Sequence, residues 1–345
     1  MPRFQSGSLG RRGLQVTKLG FGAAPIGDLY RRISDDEACE TVRAAYDAGV
    51  RYFDTAPLYG FGLSEHRTGS ALRRYPRDSF VLSTKVGRAL HPLRHDFDRD
   101  MWAGGLPFAP SYDYTHDGIM RQVEDSLQRL GMGRIDVLVI HDLDSIHHSP
   151  EALEDHFREL ESSGLSALRK LRDEGVIEAY GAGINQIRFC GRFLERADLD
   201  FFLIAGRYTL LDQRALPEVL PACLARGVTI TAGGPYNSGI LVTGPSPEAK
   251  YDYQAAPPEM LRKASRIQAV CAEYEVPMAA AALQFPPAHP AVSSVIPGAA
   301  SVREVQENVA WMNLDIPAEL WRRLKDEQLL PAEAPTPQTG ESGEG

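Results

Sequence analysis

The stretch RYFDTAPLYG, residues 51–60, joins the end of a short apolar run to an aspartate and a tyrosine. The run itself, Val50–Phe53, is typical of a strand that is buried on both faces. Longer stretches with a helical period separate it from seven similar runs, at residues 18–22, 80–84, 135–140, 177–181, 201–204, 228–231 and 292–296. Eight strand–helix units without a break in composition predict an α/β protein with a closed (β/α)8 (TIM) barrel.

The length of the chain fits one such barrel. We expect a single domain over residues 1–330 and a disordered tail over residues 331–345, which is rich in proline, glycine and glutamate. Two segments exceed the minimal barrel: a long loop after the third strand, residues 88–116, and an extra C-terminal helix, residues 317–330. Long loops at the C-terminal face of a barrel usually shape the active site.

Composition excludes several classes of protein. The net charge is −9 and no basic stripe is present, which argues against nucleic acid as a partner. No apolar run approaches the length of a membrane span, and residues 1–13 lack the apolar core of a signal peptide. Four widely spaced cysteines fall in predicted helices, which is typical of a reduced, cytoplasmic protein. We therefore expect a cytoplasmic protein that acts on a small molecule, and the sequence specifies no oligomeric state.

Polar residues stand where three successive strands end. Asp54 ends the second strand, Lys85 the third and His141 the fourth, and Tyr59 lies in the loop after Asp54. Each could separately be a cap, a packing residue, half of a surface ion pair or a core imidazole. Together at one barrel mouth they favour proton transfer. A nearby ammonium is expected to lower the tyrosine pKa from about 10, and a carboxylate to hold that ammonium charged.

The segment DTAPLYGFGLSE, residues 54–65, resembles the aldo-keto reductase signature DTAxxYGxGxSE. The segments IDVLVIHDLD, AGRYTLLDQ and GGPYNSGIL resemble the aldose dehydrogenase group of that family, whose members act on aldoses or on pyridoxal. The resemblance implies that Tyr59 is the general acid and base, tuned by Lys85 and Asp54. It further implies that His141 orients the substrate oxygen, and we expect Trp102 in the long loop to contact the substrate.

The resemblance also implies a nicotinamide cofactor held without a Rossmann fold, since the glycines at 20–22 and 181–183 lack the full dinucleotide fingerprint. Members that prefer NADP often carry basic residues where Gly298 and Glu304 stand, so NAD is favoured, with NADP as the alternative because of Arg303. The residues expected to contact the cofactor are Gly22, Asp54, Asn185, Gln186, Tyr208, Pro235, Tyr236, Asn237, Gly239, Gly298, Arg303, Glu307 and Asn308.

These residues predict a metal-independent dehydrogenase that oxidises the C1 hydroxyl of a cyclic hemiacetal, from an aldose or pyridoxal, to a lactone. The same residues working in reverse would make an aldehyde or ketone reductase. Two further alternatives are a Schiff-base aldolase that uses Lys85 and a cofactor-loaded regulatory module like the potassium-channel β subunits. The segment HDLDSIHH, residues 141–148, matches no metal-ligand spacing, and we interpret it as a solvated loop.

Overall fold

A sheet of eight parallel strands lies at the centre of the computed structural model, which describes residues 4–95 and 97–338. In chain order the strands are β1 Ser6–Leu9, β2 Leu14–Thr17, β3 Phe21–Gly22, β4 Tyr52–Asp54, β5 Val81–Val86, β6 Arg88–Pro92, β7 Phe108–Tyr112, β8 Val137–His141, β9 Ala179–Ile184, β10 Phe201–Ala205, β11 Thr229–Gly233, β12 Lys250–Tyr251, β13 Gln254–Ala255 and β14 Val292–Ile296. The sheet runs β3, β4, β5, β8, β9, β10, β11, β14.

Backbone hydrogen bonds between the two ends of this sheet close it into a barrel. The N–H of Gly20 donates to the carbonyl of Val295 and the N–H of Val295 to that of Lys18, both at 2.9 Å. The predicted (β/α)8 barrel is therefore confirmed. Its strands β5, β8, β9 and β14 are buried along their whole length, as parallel strands between a barrel interior and a helical layer should be.

Helices surround the barrel. They are α1 Asp35–Asp47, α2 Leu63–Leu72, α3 His116–Leu130, α4 Pro150–Glu159, α5 Leu165–Asp173, α6 Cys190–Arg196, α7 Val219–Ala225, α8 Ile240–Thr243, α9 Pro258–Glu273, α10 Met278–Gln284, α11 Val302–Met312 and α12 Ala318–Asp326. A single π-helical turn, Leu160–Gly164, joins α4 to α5. Helix α12 is the predicted extra C-terminal helix, and it begins directly after Pro317.

The two ends of the barrel are closed differently. The hairpin β1–β2, which the sequence did not reveal, packs Leu9 and Val16 against interior residues such as Phe201. Its backbone is bonded by Ser293 and by Thr229, which stand near the starts of β14 and β11. The hairpin therefore seals the N-terminal end of the barrel and leaves the C-terminal end as the mouth.

The insert at residues 88–116 is more ordered than a loop. Its ends pair as the antiparallel hairpin β6–β7, from Arg88 opposite Tyr112 to Pro92 opposite Phe108. Between them Trp102 is buried and bridges to Leu29 in the loop after β3. The insert thus lies over one side of the mouth.

The tail differs from the sequence expectation over its first residues. Residues 331–338 follow α12 along the barrel, and Ala334 is fully buried in the main core. Residues 339–345, the remainder of the predicted disordered tail, lie outside the described part of the chain.

The cysteines lie where helices were predicted. Cys39, Cys190, Cys223 and Cys271 are buried thiols in α1, α6, α7 and α9, without disulfide bonds. Burial raises the pKa of the Cys190, Cys223 and Cys271 thiols to about 12, so these groups are poor nucleophiles. Over the described ranges, no helix is both long enough and apolar enough to cross a membrane.

Candidate active site

An ion pair is buried where two neighbouring strands end. The Nζ of Lys85, near the end of β5, donates to the Oδ2 of Asp54 at 2.5 Å and to the carbonyl of Thr55 at 2.9 Å. The other carboxylate oxygen of Asp54 accepts from the hydroxyl of Ser83 at 2.6 Å. These contacts fix the ammonium and leave its carboxylate partner fully engaged.

Tyr59 is half-buried and has a predicted site residue on each of three sides. The Nζ of Lys85 lies 4.8 Å from the centre of its ring. The His141 ring stands at 86° to it with centres 6.0 Å apart, and the Trp102 ring is tilted by 31° at 5.5 Å. The structure thus brings the predicted catalytic residues and the predicted substrate residue together at the mouth.

The signature stretch fixes Tyr59 through backbone geometry. Gly60 has a φ of +62°, and a Cβ there would lie 2.4 Å from the carbonyl oxygen of Gly27, so a larger residue would displace this loop. Glu65, fully buried, accepts from the hydroxyl of Thr84 at 2.6 Å and from the guanidinium of Arg129. The glycines and the glutamate of the signature therefore hold the loop in place.

The charge environment of Tyr59 differs from the sequence prediction. Burial raises the pKa of Tyr59 well above its usual value, and the carboxylates of Asp54 and Asp142 raise it further. The charge that opposes them is Arg88, and Lys85 is paired with Asp54. The net direction is therefore the opposite of the lowered pKa that the sequence predicted, and the phenol is the stable form at neutral pH.

His141 is neutral in this site. Burial lowers its pKa well below the usual value, and Arg88 and Lys85 act in the same direction against Asp142. Its Nε2 lies 3.1 Å from the Oδ2 of Asp142, while its buried Nδ1 has no hydrogen-bond partner within the described structure. A neutral imidazole carries one N–H, and on Nε2 this hydrogen can point either to the Asp142 carboxylate or to an oxygen in the mouth.

The loop after β8 is not simply solvated. Asp144 and His148 are buried, and Asp142 receives hydrogen bonds from Arg88 at 2.8 Å and from Asn185 at 2.9 Å. The solvated-loop interpretation is therefore wrong for these residues. Among the residues that the structure describes, no cluster of three or more histidine, cysteine or acidic side chains could hold a metal ion.

The two predicted carboxamide residues lie beside this network. Asn185, directly after β9, donates its Nδ2 to Asp142, and its backbone carbonyl accepts from the Nε of Arg207 at 2.8 Å. The Oε1 of Gln186 accepts from the hydroxyl of Ser145 at 2.8 Å. Asn185 and His141 thus contact the same carboxylate, that of Asp142, whereas Gln186 is bonded to Ser145 in the loop after β8.

The predicted pyrophosphate loop follows β11. Gly234, Asn237, Ser238 and Gly239 all have a positive φ, and Pro235 is buried between them. Asn237 is anchored by the hydroxyl of Thr209 at 2.6 Å and by donation to the carbonyl of Gly206 at 3.1 Å. The N–H groups of Asn237 and Gly239 donate within the turn, to the carbonyls of Gly234 and Tyr236 at 3.0 Å, so the loop is held by its own backbone.

This loop meets the predicted adenosine helix. The hydroxyl of Tyr236 donates to the Oδ1 of Asn308 in α11 at 2.5 Å, and its ring packs on Trp311. At the start of the same helix, Gly298 bridges to Gly22. The structure therefore brings these cofactor candidates into one band that runs from the β11 loop to α11.

Tyr208 is the exception among the predicted cofactor residues. It is 1% exposed and packs on Phe285 and His289, and its buried hydroxyl has no partner in the part of the chain that the structure covers. The structure therefore places its ring in the core rather than beside Tyr59.

Three residues at the N-terminus of α11 have structural roles of their own. A Cβ at Gly298 would lie 2.7 Å from the ring of Pro25, so this position has no room for a side chain. Glu304 accepts from the backbone N–H of Ala300 at 2.8 Å, as a capping carboxylate does. Arg303 is 85% exposed and donates to Glu307 at 2.8 Å.

Comparison with known proteins decides the family. Residues 18–327 match the family described as "Aldo/keto reductase family". The chain belongs to this family. It is 42% identical to a pyridoxal 4-dehydrogenase of Microbacterium luteolum over 94% of this chain and 97% of the relative. It is 41% identical to a D-threo-aldose 1-dehydrogenase of a Pseudomonas species over 92% and 96% of the two chains.

A solved structure supports the same assignment. The holo form of an aldo-keto reductase from Bacillus halodurans matches with a TM-score of 0.73 and 26% identity, covering 99% of both chains. The protein is therefore an NAD(P)-dependent oxidoreductase of the aldose dehydrogenase type. The residues fit such a cofactor, because Asn185 carries an amide group at one end of the site and the β11 loop is joined to α11 by the hydrogen bond from Tyr236 to Asn308.

Sequence reasoning missed several residues that surround Tyr59. Arg88 and Asp142 act on it electrostatically, and Tyr253, in the turn of hairpin β12–β13, has its own pKa raised by burial and by Tyr59. Arg88 and Asp142 each stand within three residues of a predicted catalytic residue, and that proximity was the available signal. Nothing local marks Tyr253, since its hairpin is held by distant contacts such as that of Asp252 with Arg207 at 2.6 Å.

Proposed function

We propose that this reductase family member oxidises the C1 hydroxyl of a cyclic hemiacetal, an aldose or pyridoxal, to the lactone. The observation that carries the proposal is Tyr59, half-buried between the ammonium of Lys85, the neutral imidazole of His141 and the ring of Trp102. The named relatives support the substrate class, since both an aldose and pyridoxal can close to a hemiacetal.

The chain's own residues supply the proton chemistry. Tyr59 takes the proton of the C1 hydroxyl, and the neutral His141 holds the same oxygen with the N–H of its Nε2, the nitrogen that lies beside Asp142. The bound nicotinamide supplies the acceptor for the hydride from C1. Loss of one proton and one hydride converts the hemiacetal carbon to the lactone carbonyl, so the atoms and electrons balance.

Trp102 provides a flat surface on which the substrate can bind. Its buried ring lies 5.5 Å from that of Tyr59 and forms a side of the mouth. The flat face of an indole suits the C–H face of a sugar ring or the ring of pyridoxal. We therefore assign Trp102 to substrate binding.

The cofactor is held along the band described above. Asn185 would hold the carboxamide, Tyr236 and Asn237 the pyrophosphate, and Asn308 the adenosine. We propose that the cofactor is NAD, because Arg303 is already paired with Glu307 and because Gly298 has no room for a basic side chain.

One observation favours the reverse reaction. The raised pKa of Tyr59 keeps the phenol protonated, and a phenol is the form that donates a proton to a carbonyl oxygen. Reduction of an aldehyde or ketone is therefore the second candidate. The aldolase alternative is weaker, because the Lys85 amine is 2% exposed and held as an ammonium by Asp54.

A substrate screen tests the proposal. The purified protein is assayed with a set of aldoses, with pyridoxal and with simple aldehydes, using both cofactors in both directions. We expect reduction of NAD by at least one hemiacetal substrate and formation of its lactone. Turnover of open-chain aldehydes alone would assign the protein to the reductases, and absence of turnover with every substrate would revive the regulatory module.

A further inference from the structure

The strongest unassigned feature of the mouth is the carboxylate of Asp142. We propose that Asp142 is a positioning residue that ties His141 to Asn185, and that Arg88 holds its carboxylate between them. The inference rests on the proposed function, because Asn185 is taken there as the residue that meets the cofactor carboxamide.

The two oxygens of Asp142 face different parts of the site. Its Oδ2 accepts from the Nη2 of Arg88 at 2.8 Å and lies 3.1 Å from the Nε2 of His141. Its Oδ1 accepts from the Nδ2 of Asn185 at 2.9 Å. One side chain therefore spans the space between a catalytic residue and a cofactor residue that lie on different strands.

The backbone at Asp142 supports a specific role. Its φ is +45°, in the left-handed region that few non-glycine residues adopt. Aspartate tolerates this region better than most residues do. Such a conformation directly after the catalytic histidine indicates that the direction of this side chain is required.

Asp142 also decides which atom of Asn185 is available. Because the Nδ2 of Asn185 donates to the carboxylate, its Oδ1 is the atom left to accept a hydrogen bond. A carboxamide has an NH2 group that can donate to that oxygen. Without Asp142 the Asn185 amide could turn over and present the wrong atom.

Arg88 fixes the carboxylate from the opposite side. Its side chain is 4% exposed, and its guanidinium lies 5.2 Å from the centre of the Tyr112 ring. Arg88 is the first residue of β6, three residues after Lys85. The hairpin β6–β7, which lies over one side of the mouth, therefore contributes this contact. Removing Asp142 would leave a buried positive charge without its partner.

The test measures NADH binding and turnover in Asp142→Asn, which keeps the size of the side chain but replaces one acceptor oxygen with a donor. Because the lost hydrogen bond is to a charged group, we expect the Kd for NADH to rise about 10-fold or more and kcat to fall by a similar factor. Asp200→Asn is the matched control, because Asp200 is a buried carboxylate bound to Arg172 at 3.1 Å where β10 begins. It should lower thermal stability and leave the Kd and kcat unchanged.

A double-mutant cycle with Asn185→Ala measures the coupling directly. If Asp142 acts through Asn185, the NADH affinity of the double variant should equal that of whichever single variant binds NADH less tightly. If Asp142→Asn does not fold, Arg88→Lys takes its place, because it weakens the contact that holds the Asp142 carboxylate and keeps the positive charge. Its NADH affinity should lie between that of the wild type and the value expected for Asp142→Asn. Additive effects in the cycle, or wild-type NADH binding in the variant that folds, would overturn the inference.

Failure of this inference is distinguishable from failure of the proposed function. If the wild-type protein binds NADH but oxidises no hemiacetal, the proposed function is wrong. The coupling of Asp142 to Asn185 is measured by NADH affinity alone, so its outcome does not depend on which substrate the enzyme accepts.

Discussion

The Nζ of Lys85 lies 2.5 Å from the Oδ2 of Asp54, and the two side chains are 2% and 3% exposed. A pair this deeply buried is stable only while both charges are present, since either charge alone is strongly disfavoured away from water. Because Lys85 and Asp54 are also predicted catalytic residues, a substitution that breaks this pair should lower both the stability of the fold and the activity.

Replacing Lys85 with Met should remove activity and destabilise the fold. Breaking a buried pair from one side costs about 3–5 kcal/mol in free energy of unfolding. The double variant Lys85→Met/Asp54→Asn should recover part of that stability while remaining inactive. Chemical denaturation of the three proteins measures the effect.

The exposed pair Arg158–Asp155 is the control, because its side chains are 73% and 62% exposed. Arg158→Met should cost less than about 1 kcal/mol. An equal loss of stability in Arg158→Met and Lys85→Met would contradict the role given to burial.

The pH dependence of catalysis should follow the raised pKa of Tyr59. Oxidation needs the phenolate, so its kcat/KM should rise with pH across the neutral range. Reduction needs the phenol, so its rate should stay flat over the same range. Since Arg88 is the charge that lowers this pKa, Arg88→Met should move the oxidation profile to higher pH.

Profiles of kcat/KM in both directions, for the wild-type protein and Arg88→Met, provide the measurement. A wild-type oxidation rate that has already reached its plateau at pH 6 would show that Tyr59 titrates below neutrality. That result would restore the activating role that the sequence suggested for Lys85.

The preference for NAD should depend on the pair Arg303–Glu307. Because Glu307 occupies Arg303 in the structure, kcat/KM for NAD should exceed that for NADP at least several-fold. Glu307→Gln frees the guanidinium of Arg303 and should lower the ratio of kcat/KM for NAD to kcat/KM for NADP. Glu319→Gln removes the acceptor of a similar surface pair in α12 and should leave this ratio unchanged. A wild-type preference for NADP would refute the cofactor assignment.

The fold should lose stability in mild acid through His148. Burial lowers the pKa of His148 to about 4, and His156 and Arg88 act in the same direction. The unfolded chain therefore binds a proton more readily, so this contribution to stability is complete above the unfolded pKa of about 6.5 and is lost as the pH falls toward 4. Thermal melts of wild type and His148→Gln from pH 7 to pH 4 test this, and parallel curves would rule His148 out as the cause.

Local sequence patterns predicted the barrel well, because a parallel strand that is buried on both faces stands in the sequence as a continuous apolar run. The run at residues 292–296 coincides with β14, and Asp54, Lys85 and His141 stand at strand ends as expected. These features depend on short stretches of chain, which one sequence displays completely.

Features that depend on distant contacts were missed. Hairpin β1–β2 forms where it packs on the N-terminal end of the barrel interior. The contact between Arg88 and Asp142 joins residues 54 positions apart in the chain. The pKa of Tyr59 is set by burial and by the sum of several charges, so the presence of one lysine could not give its direction. Tyr208 was assigned by position in a motif, whereas its side-chain direction is decided by packing on Phe285.

Hydride leaves the hemiacetal carbon while Tyr59 accepts the proton, and the most direct test uses an aldose deuterated at C1 or pyridoxal deuterated at its formyl carbon. With NAD, we expect deuterium in the reduced nicotinamide, a primary isotope effect and the lactone as product. Tyr59→Phe should lower this rate by about 10²–10⁴-fold and keep NADH binding, while Tyr180→Phe, a buried tyrosine on β9, should react as wild type does. Lactone formation without deuterium in the cofactor, or near wild-type turnover by Tyr59→Phe, would contradict the account.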